Sequence, residues 1–388
     1  MFYNFPKIRH IDDVLPAVEG RKEFVVAERV FGTVINYNVN MPDTFNIDED
    51  DLMANYGRAI PKGIMRRECR GLIFFPDGKL MSRPFHKFFN VGEREETQFM
   101  NIDMSSDHTI MEKMDGSMIR PIYSEGKFRV ATKMGLSDVA IKCEKYVSED
   151  QLGWMEIMMK QNTTPLFEFI SPENRIVVDY PKTELVLLAV RENISGKYLD
   201  VEGLRGNTFF PVVPTYGSVE GNLEEYITRQ REAEEREGDI VRFTNGHMFK
   251  AKNDWYVRIH KALDRVRFDR NIVDLIVNEN MDDVVPMMPE HEIKRIRDFE
   301  KKFWIAFEQK QNQLYGMGLA VREYDGDRKR IALEFIPHLP NRTDAQFVFR
   351  MVDGNEPRDL LLDHIHKNIT SNVKWDACAE WLEIKKES

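Results

Sequence analysis

Short runs of Val, Ile, Phe and Tyr dominate the chain up to about residue 255. Several of them end at residues that favour turns, such as Pro76, Asp77 and Gly78, which is typical of strands joined by tight turns. We predict strands at residues 23–26, 32–39, 71–75, 118–123, 127–132, 166–170, 185–191 and 239–243. Helical patterns lie between them, at 138–159 and 223–235. Because regular strand–helix alternation is missing, the pattern predicts an α+β domain with largely antiparallel sheets.

After about residue 256 the pattern becomes helical. Between residues 290 and 316 the apolar positions recur at spacings of three, four and seven, as on one face of an amphipathic helix. Gly316 and Gly318 then predict its end, and Thr343 with Gln346 predicts a capping box that opens a further helix. Residues 359–369 and 373–384 complete a small all-α domain. We therefore predict two domains, 1–255 and 256–388.

The composition is that of an ordinary globular protein. Of the 388 residues, 42% are hydrophobic and 31% are charged, and the three cysteines are widely spaced. This excludes a mostly disordered chain and gives no sign of a disulfide framework. No apolar run is long enough to span a membrane, and the N-terminal segment lacks the pattern of a secretory signal. We expect a cytoplasmic protein.

The formal net charge is −10, from 65 acidic and 55 basic residues. Net acidity argues against sequence-blind coating of nucleic acid. It leaves room for a local basic groove, because phosphate binding depends on the local field rather than on the total charge.

The segment Lys113-Met114-Asp115-Gly116-Ser117 stands directly before a predicted strand. A lysine followed by Asp-Gly is also an ordinary turn sequence, and a Lys-x-Asp-Gly match arises by chance in about one chain in ten of this length. The segment alone is therefore weak evidence for a site.

Four further segments follow it in a fixed order. They are Leu166 to Phe169, with Glu168 inside an apolar run, residues 185–191, Glu237-Gly238-Asp239-Ile240-Val241, and Lys250-Ala251-Lys252. Together with Lys-x-Asp-Gly, this series resembles motifs I, III, IIIa, IV and V of the covalent nucleotidyltransferases, which are ATP-dependent DNA and RNA ligases and GTP-dependent capping enzymes. Asp239 departs from the family pattern, which has an apolar residue there.

One branch of this superfamily is the closest in pattern. Residues 68–74, 82–90, 172–177 and 254–256 are similar to segments of the RNA ligase 1 family of T-even-like bacteriophages. The resemblance runs from about Tyr37 to Tyr256 and becomes thin through the helical region. It implies an α+β nucleotidyltransferase (adenylyltransferase) domain, with a helical C-terminal domain that contributes specificity for RNA or tRNA.

The resemblance assigns a role to each matching residue. Lys113 is implied as the nucleophile that takes AMP from ATP. The implied ATP contacts are Tyr37, Arg70, Lys87, Asp115, Gly116, Lys133, Glu168, Lys250 and Lys252, with Ser117 and Tyr256 as further motif positions. Glu168 would hold the ribose, Lys250 and Lys252 the α-phosphate. The implied metal residues are Glu237, Asp282 and Asp283, with Mg²⁺ as the metal and Mn²⁺ as a substitute.

The implied activity is ATP-dependent joining of a 5′-phosphate to a 3′-hydroxyl RNA end. AMP passes from ATP to Lys113, then to the 5′-phosphate, and is released when the 3′-hydroxyl attacks. By the same resemblance, the task is repair of RNA, such as nicked tRNA, during phage infection. We expect a monomer in the host bacterial cytoplasm.

Two alternatives make different predictions. A DNA ligase or capping enzyme usually continues after motif V into a barrel of short strands, whereas the sequence here continues as helices. A non-catalytic RNA-binding protein of the same fold would have lost at least one of Lys113, Glu168, Lys250 and Lys252, and all four are present.

Each candidate also has a purely structural interpretation. Glu168 is interpretable as a buried acid paired with an arginine, and the lysines as surface cations. Asp282 and Asp283 are typical of a helix start. In the helical domain the basic residues at 258–265 and 294–302 fit a solvated face as well as an RNA-binding face.

Overall fold

A computed structural model describes residues 5–47, 60–219 and 221–384. The chain divides into two compact units, Met1–Val257 and Arg258–Ser388, within a few residues of the boundary predicted from the sequence. The RNA-specificity role predicted for the second unit stays a prediction. None of the helices in these described ranges combines the length and the apolarity needed to cross a membrane.

The described part of the first unit contains three four-stranded sheets. In chain order the strands are β1 (Phe24–Arg29), β2 (Gly32–Tyr37), β3 (Arg70–Phe74), β4 (Leu80–Ser82), β5 (Phe89–Asn90), β6 (His108–Glu112), β7 (Ser117–Ser124), β8 (Lys127–Ala131), β9 (Thr163–Ile170), β10 (Glu184–Glu192), β11 (Gly238–Phe243) and β12 (Met248–Lys252). The sheets have the orders β1-β2-β3-β4, β10-β9-β7-β8 and β5-β12-β11-β6. Among the twelve strands of the described residues, only β5 and β12 pair in parallel, so the predicted α+β class with largely antiparallel sheets is confirmed.

One helix precedes these strands and the others lie between them. They are Leu15–Val18, Lys62–Glu68, Asp138–Glu144, Glu149–Lys160 and Leu223–Glu232. The helical pattern predicted over 138–159 therefore forms two consecutive helices. The Ser148 side chain accepts a hydrogen bond from the Gln151 amide, and the Gln151 side chain accepts one from the Ser148 amide. This capping box starts a new helix where the pattern of apolar residues continues unbroken.

A buried ion cluster joins the first two sheets. The Glu68 carboxylate binds Arg83 at 3.0 Å and Arg191 at 2.8 Å, and all three side chains are almost fully buried. Burial opposes ionisation of Glu68, but Arg191 and Arg83 lower its pKa to about 2. Glu68 ends a helix two residues before Arg70, the first residue of β3. The cluster thus fixes the position at which the chain enters β3 at Arg70.

The second unit is helical. Its helices are Asp269–Val277, Met281–Val284, Glu290–Ala320, Arg328–Arg330, Ala345–Val352, Pro357–Asn368 and Asn372–Trp381, and Asp254–Val266 spans the division. The periodic apolar residues Ile296, Phe303, Phe307 and Leu314 are fully buried in its core, which confirms the amphipathic pattern. The described residues of this unit contain no strand, so the small barrel of a DNA ligase or capping enzyme is not formed there.

Two predicted helix boundaries are wrong. The long helix passes through Gly316 and Gly318 and ends at Ala320. A glycine inside a helix costs about 1 kcal/mol, and burial of Leu314 and Met317 on the same helix outweighs this cost. The predicted cap at Thr343 is also absent, because the Asn341 side chain accepts the Thr343 amide and opens a short 3₁₀ turn instead.

Candidate active site

A cavity of about 250 Å³ lies between the second and third sheets of the first unit. Apolar side chains form much of its wall, including Phe85, Phe88, Leu188, Ile240 and Met248. Its polar lining consists of Arg70, Glu112, Lys113, Glu168, Arg242 and Lys250. A cavity with an apolar region and a charged region suits a ligand that also has an apolar part and a charged part, such as a nucleotide.

Lys113 follows the last residue of β6. Its amide donates a hydrogen bond to the Gly238 carbonyl at 2.9 Å, so it lies beside the start of β11. The Lys113 ammonium is 2.5 Å from one oxygen of Glu237, and the Lys252 ammonium is 2.8 Å from the other. Gly238 pairs with Lys252 in the third sheet, which explains why motifs I, IV and V meet at this point.

Asp115 holds the loop after Lys113 in place. One of its carboxylate oxygens accepts the amides of Val177 and Val178, both at 2.8 Å. The other oxygen accepts the Tyr256 hydroxyl at 2.7 Å. Both oxygens are thus engaged by the protein and the residue is only 2% exposed. Asp115 and Tyr256 therefore position residues 114–116, the loop after the implied nucleophile Lys113, which we call the nucleophile loop.

Gly116 brings this loop against Glu168. A Cβ at Gly116 would lie 2.4 Å from the Phe169 carbonyl oxygen and 3.1 Å from the Glu168 side chain, so no other residue fits there. The Gly116 amide donates to a Glu168 carboxyl oxygen at 3.1 Å. Ser117 takes a different partner, since its hydroxyl accepts the Asn174 side-chain amide at 3.1 Å.

Glu168 faces the cavity from β9. Burial is the main cause that raises its pKa to about 8, opposed by Lys113 and reinforced by Glu237. The residue therefore carries a proton at neutral pH in the free protein. A carboxyl group on the cavity wall offers two oxygens that can accept hydrogen bonds from a pair of neighbouring hydroxyls.

Arg70 and Lys250 line the charged part of the cavity, and Lys87 and Lys133 lie close enough to Arg70 to be affected by its charge. Burial lowers the pKa of Lys87, Lys133 and Lys250, and Arg70 adds to the lowering at all three. The ammonium groups of Lys87 and Lys250 also lie 4.9 Å from the ring centres of Phe89 and Phe88. Crowded, poorly hydrated cations of this kind are stabilised when a polyanion binds among them.

The remaining predicted residues have separate positions. Tyr37 lies beneath Lys133, whose ammonium is 4.8 Å from the tyrosine ring centre. Asp282 and Asp283 lie in the second unit, exposed in the helix Met281–Val284, and Asp282 is 3.8 Å from Arg297. In the part of the chain that is described, no three His, Cys, Asp or Glu side chains are placed to hold a metal ion together.

The structure explains the unusual Asp239 of motif IV. This carboxylate is 1% exposed and accepts the Tyr226 hydroxyl at 2.7 Å, and it also pairs with Arg236. Tyr226 belongs to the helix Leu223–Glu232. Asp239 therefore ties that helix to the strand that follows Glu237, where other members of the motif pattern place an apolar residue.

Sequence reasoning missed Tyr180 and Arg242. The Tyr180 hydroxyl lies 3.0 Å from the Asp115 amide, a contact that no local pattern reveals. Arg242 lines the cavity. Its alternation with Ile240 on β11, opposite Met248 and Lys250 on β12, was a readable signal, since residues two apart lie on one face of a strand.

Comparison with known proteins finds similarity to RNA ligases. A family model described as RNA ligase matches residues 68–256. The chain is 29% identical over 324 residues to the "Putative RNA ligase" of Thermovibrio ammonificans, across 79% of this chain and 80% of that protein. It is 34% identical over 143 residues to "RNA ligase 1" of Bacteriophage TS2126, across 34% of this chain and 36% of that protein.

Solved structures give a more distant likeness. An archaeal ATP-dependent RNA ligase aligns with 95% of this chain and 85% of its own, at 13% identity and a TM-score of 0.40. A "Putative ATP-dependent DNA ligase" from Aquifex aeolicus aligns with 89% of this chain and 88% of its own, at 13% identity and a TM-score of 0.42. The fold description therefore rests on the sheets and helices themselves.

Proposed function

Given the similarity to RNA ligases, we propose that this chain is an ATP-dependent RNA ligase that works through a lysyl-AMP intermediate on Lys113. The observation that carries the proposal is that Lys113, Glu168 and Lys250 line one cavity, and that Glu237 binds both Lys113 and Lys252 beside it. These residues come from four separate segments of the chain, and they supply a nucleophile, a carboxyl for the ribose and cations for phosphate.

In the proposed first step the Lys113 nitrogen bonds to the α-phosphorus of ATP, and the bond to the β-phosphate oxygen breaks to release pyrophosphate. The amine is nucleophilic only after it loses a proton. The proton passes to solvent water, and Glu237, at 2.5 Å, holds the lysine side chain in place. Lys250 and Lys252 would neutralise the α-phosphate, in keeping with phosphoryl transfer that depends on charge neutralisation and in-line positioning.

The residues fit a Mg²⁺ ion that is held mainly by phosphate and water. Glu237 is the protein ligand we propose, because its carboxylate is almost buried yet lies beside Lys113. Both of its oxygens bind ammonium groups in the free protein, and one would have to be released. The ion would supply positive charge to the leaving phosphates. Asp282 and Asp283 stay proposed ligands of a second ion, and Mn²⁺ a proposed substitute for the first.

The test of the nucleophile is the intact mass of the protein after incubation with ATP and Mg²⁺. We expect the wild type to gain one adenylate, and Lys113→Ala and Lys113→Arg to gain none. Lys127→Ala, at an exposed lysine on β8, is the matched control and should gain the adenylate fully. Prior treatment with pyrophosphate removes any AMP already bound. If treated wild type then gains no adduct from ATP or GTP, the proposal is wrong.

For the later steps we propose RNA with a 5′-phosphate and a 3′-hydroxyl as the substrate, and nicked tRNA as its natural form. The support is the similarity to named RNA ligases, one of them from a phage. On the same basis we propose that the protein belongs to the T-even-like branch and is a monomer. We propose that it repairs RNA in the cytoplasm of an infected bacterium.

A 5′-phosphorylated RNA should discharge the adenylated protein, and a DNA strand of the same sequence should do so more slowly. An anticodon stem-loop nicked in its loop should be sealed faster than an unstructured RNA. Equal rates would remove the tRNA proposal, and light scattering would test the monomer.

A further inference from the structure

Arg242 lies in the wall of the nucleotide cavity, and within the described part of the chain one of its donors has no protein acceptor. Its side chain lines the cavity beside Ile240, Met248 and Lys250. The Nη1 atom is buried and, among the described residues, no hydrogen-bond acceptor lies within reach of it. Burial lowers the pKa of the guanidinium, and Tyr198 and Asp200 are the groups that oppose this. An orphaned buried donor is costly, which suggests that a ligand satisfies it.

The strands define how far Arg242 lies from the reacting lysine. Lys113 is bonded to Gly238, and Arg242 is four residues further along β11 on the same face. Four residues of extended strand correspond to about 13 Å. On β12 the same direction leads from Lys252 through Lys250 to Met248, opposite Arg242. Along this direction the cavity wall is formed first by lysines, then by apolar side chains, and finally by Arg242.

A nucleoside triphosphate has the same order of charged and apolar parts along its length. Its phosphates are at one end and its base at the other. If the α-phosphate lies at Lys113, the base points along β11 and β12 toward Arg242. Phe85, Phe88 and Met248 line this region and offer apolar surface for a ring. A guanidinium only donates hydrogen bonds, so its partner must be an acceptor, and the acceptors of a purine edge are its ring nitrogens and, in guanine, the carbonyl oxygen.

We propose that Arg242 is a base-reading residue that donates a hydrogen bond from its buried Nη1 to a ring nitrogen of the nucleotide's purine. The inference rests on the proposed function, since it takes the cavity to be the ATP site. It adds a contact to the base that strengthens binding of the nucleotide that loads Lys113. Arg242 takes no part in the bond changes at the α-phosphate.

The experiment measures the rate of enzyme–adenylate formation against nucleotide concentration, with ATP and with 1-deaza, 3-deaza and 7-deaza-ATP. In wild type, one of the three analogues should lose about 10- to 100-fold in kcat/KM, mostly through KM, as expected when a charged donor is left unpaired. Arg242→Met should lose a similar factor with ATP, yet lose nothing more with that one analogue. Arg231→Met, at an exposed arginine of the helix Leu223–Glu232, is the matched control and should behave as wild type.

Three results would overturn the proposal. The first is that all three deaza analogues react like ATP with the wild type. This test needs no variant, so it does not depend on whether Arg242→Met folds. The second is that Arg242→Met leaves KM for ATP unchanged. The third is that Arg242→Met weakens inhibition by pyrophosphate as much as it weakens ATP binding, which would place Arg242 at the phosphates. Failure of the proposed function looks different, because wild type would then form no adenylate from any of these nucleotides.

Discussion

Burial gives Glu168 a chemistry that its place in the sequence does not reveal. A glutamate in an apolar strand invites the interpretation of an acid paired with an arginine. The structure instead places it against the Gly116 amide, at the cavity wall, with a pKa of about 8. The residue is a neutral acid in the free protein, and its charge depends on what binds beside it.

This pKa predicts how stability depends on pH. The folded protein holds the Glu168 proton more tightly than the unfolded chain, whose value is near 4.5. The contribution is therefore complete below about pH 4.5 and is lost as the pH rises toward 8. We expect the melting temperature of wild type relative to Glu168→Gln to fall by several degrees between pH 5 and pH 8. Glu173→Gln, at an exposed acid, is the control. A constant difference would contradict the raised pKa.

The crowded cations predict proton uptake when ATP binds. Burial and mutual repulsion lower the pKa of Lys87, Lys133 and Lys250. A triphosphate among them raises these pKa values again, so binding should take up protons and weaken as the pH rises. Calorimetry in buffers of different ionisation enthalpy measures this uptake between pH 7 and 10. Lys250→Met should take up less, and an unchanged uptake would show that other groups are responsible.

At the scale of the strand and helix, Asp239 takes over the task of an apolar residue by different means. An apolar residue at this position of motif IV would hold β11 by packing. Asp239 holds it by accepting the Tyr226 hydroxyl and pairing with Arg236. The arrangement is sensitive to loss of one partner, because the buried carboxylate would then be left incompletely satisfied.

Tyr226→Phe tests this link between helix and strand. The variant removes one hydrogen bond to a buried carboxylate and keeps the ring, so we expect it to lower the free energy of unfolding by about 1–3 kcal/mol. Urea unfolding followed by fluorescence measures the loss. Tyr216→Phe, which removes a hydrogen bond to the more exposed Glu112, should cost less. Equal losses of unfolding free energy would mean that the burial of Asp239 does not increase the cost of losing its hydrogen bond.

At the scale of the whole molecule, each unit has its own hydrophobic core. The core of the helical unit runs from Ala262 to Leu382, and the sheet unit has separate clusters that end at Ala251. Units with independent cores commonly fold alone. The residues proposed to load AMP on Lys113 all belong to the first unit.

A shortened chain of residues 1–266 should therefore still form the adenylate. This fragment keeps the whole helix Asp254–Val266 and with it the bond from Tyr256 to Asp115. A second fragment that ends at residue 253 lacks Tyr256 and should load much less AMP. Intact mass measures both, and circular dichroism checks that each fragment is folded. Equal loading would argue that Tyr256 does not position the nucleophile loop.

The sequence alone determined the class of the fold and proposed most residues of the candidate site. Alternation and turn residues follow from local backbone preferences, so eight of the twelve described strands and the helical second unit were predicted, whereas β4, β5, β6 and β12 were not. The order of motifs, through its resemblance to the covalent nucleotidyltransferases, proposed Lys113, Glu168, Glu237, Lys250 and Lys252. Local capping was harder, as the breaks at Ser148 and the continuation through Gly316 and Gly318 demonstrate.

Only the tertiary structure decided what surrounds each of these groups. The pairing of Glu237 with two lysines, the engagement of both Asp115 oxygens and the raised pKa of Glu168 all depend on segments far apart in the chain. That Arg242 Nη1 finds no hydrogen-bond partner among the described residues is likewise a property of the packed sheets. Electrostatic and hydrogen-bonding environments are set by non-local contacts and by burial, and neither is written in the spacing of residues along the chain.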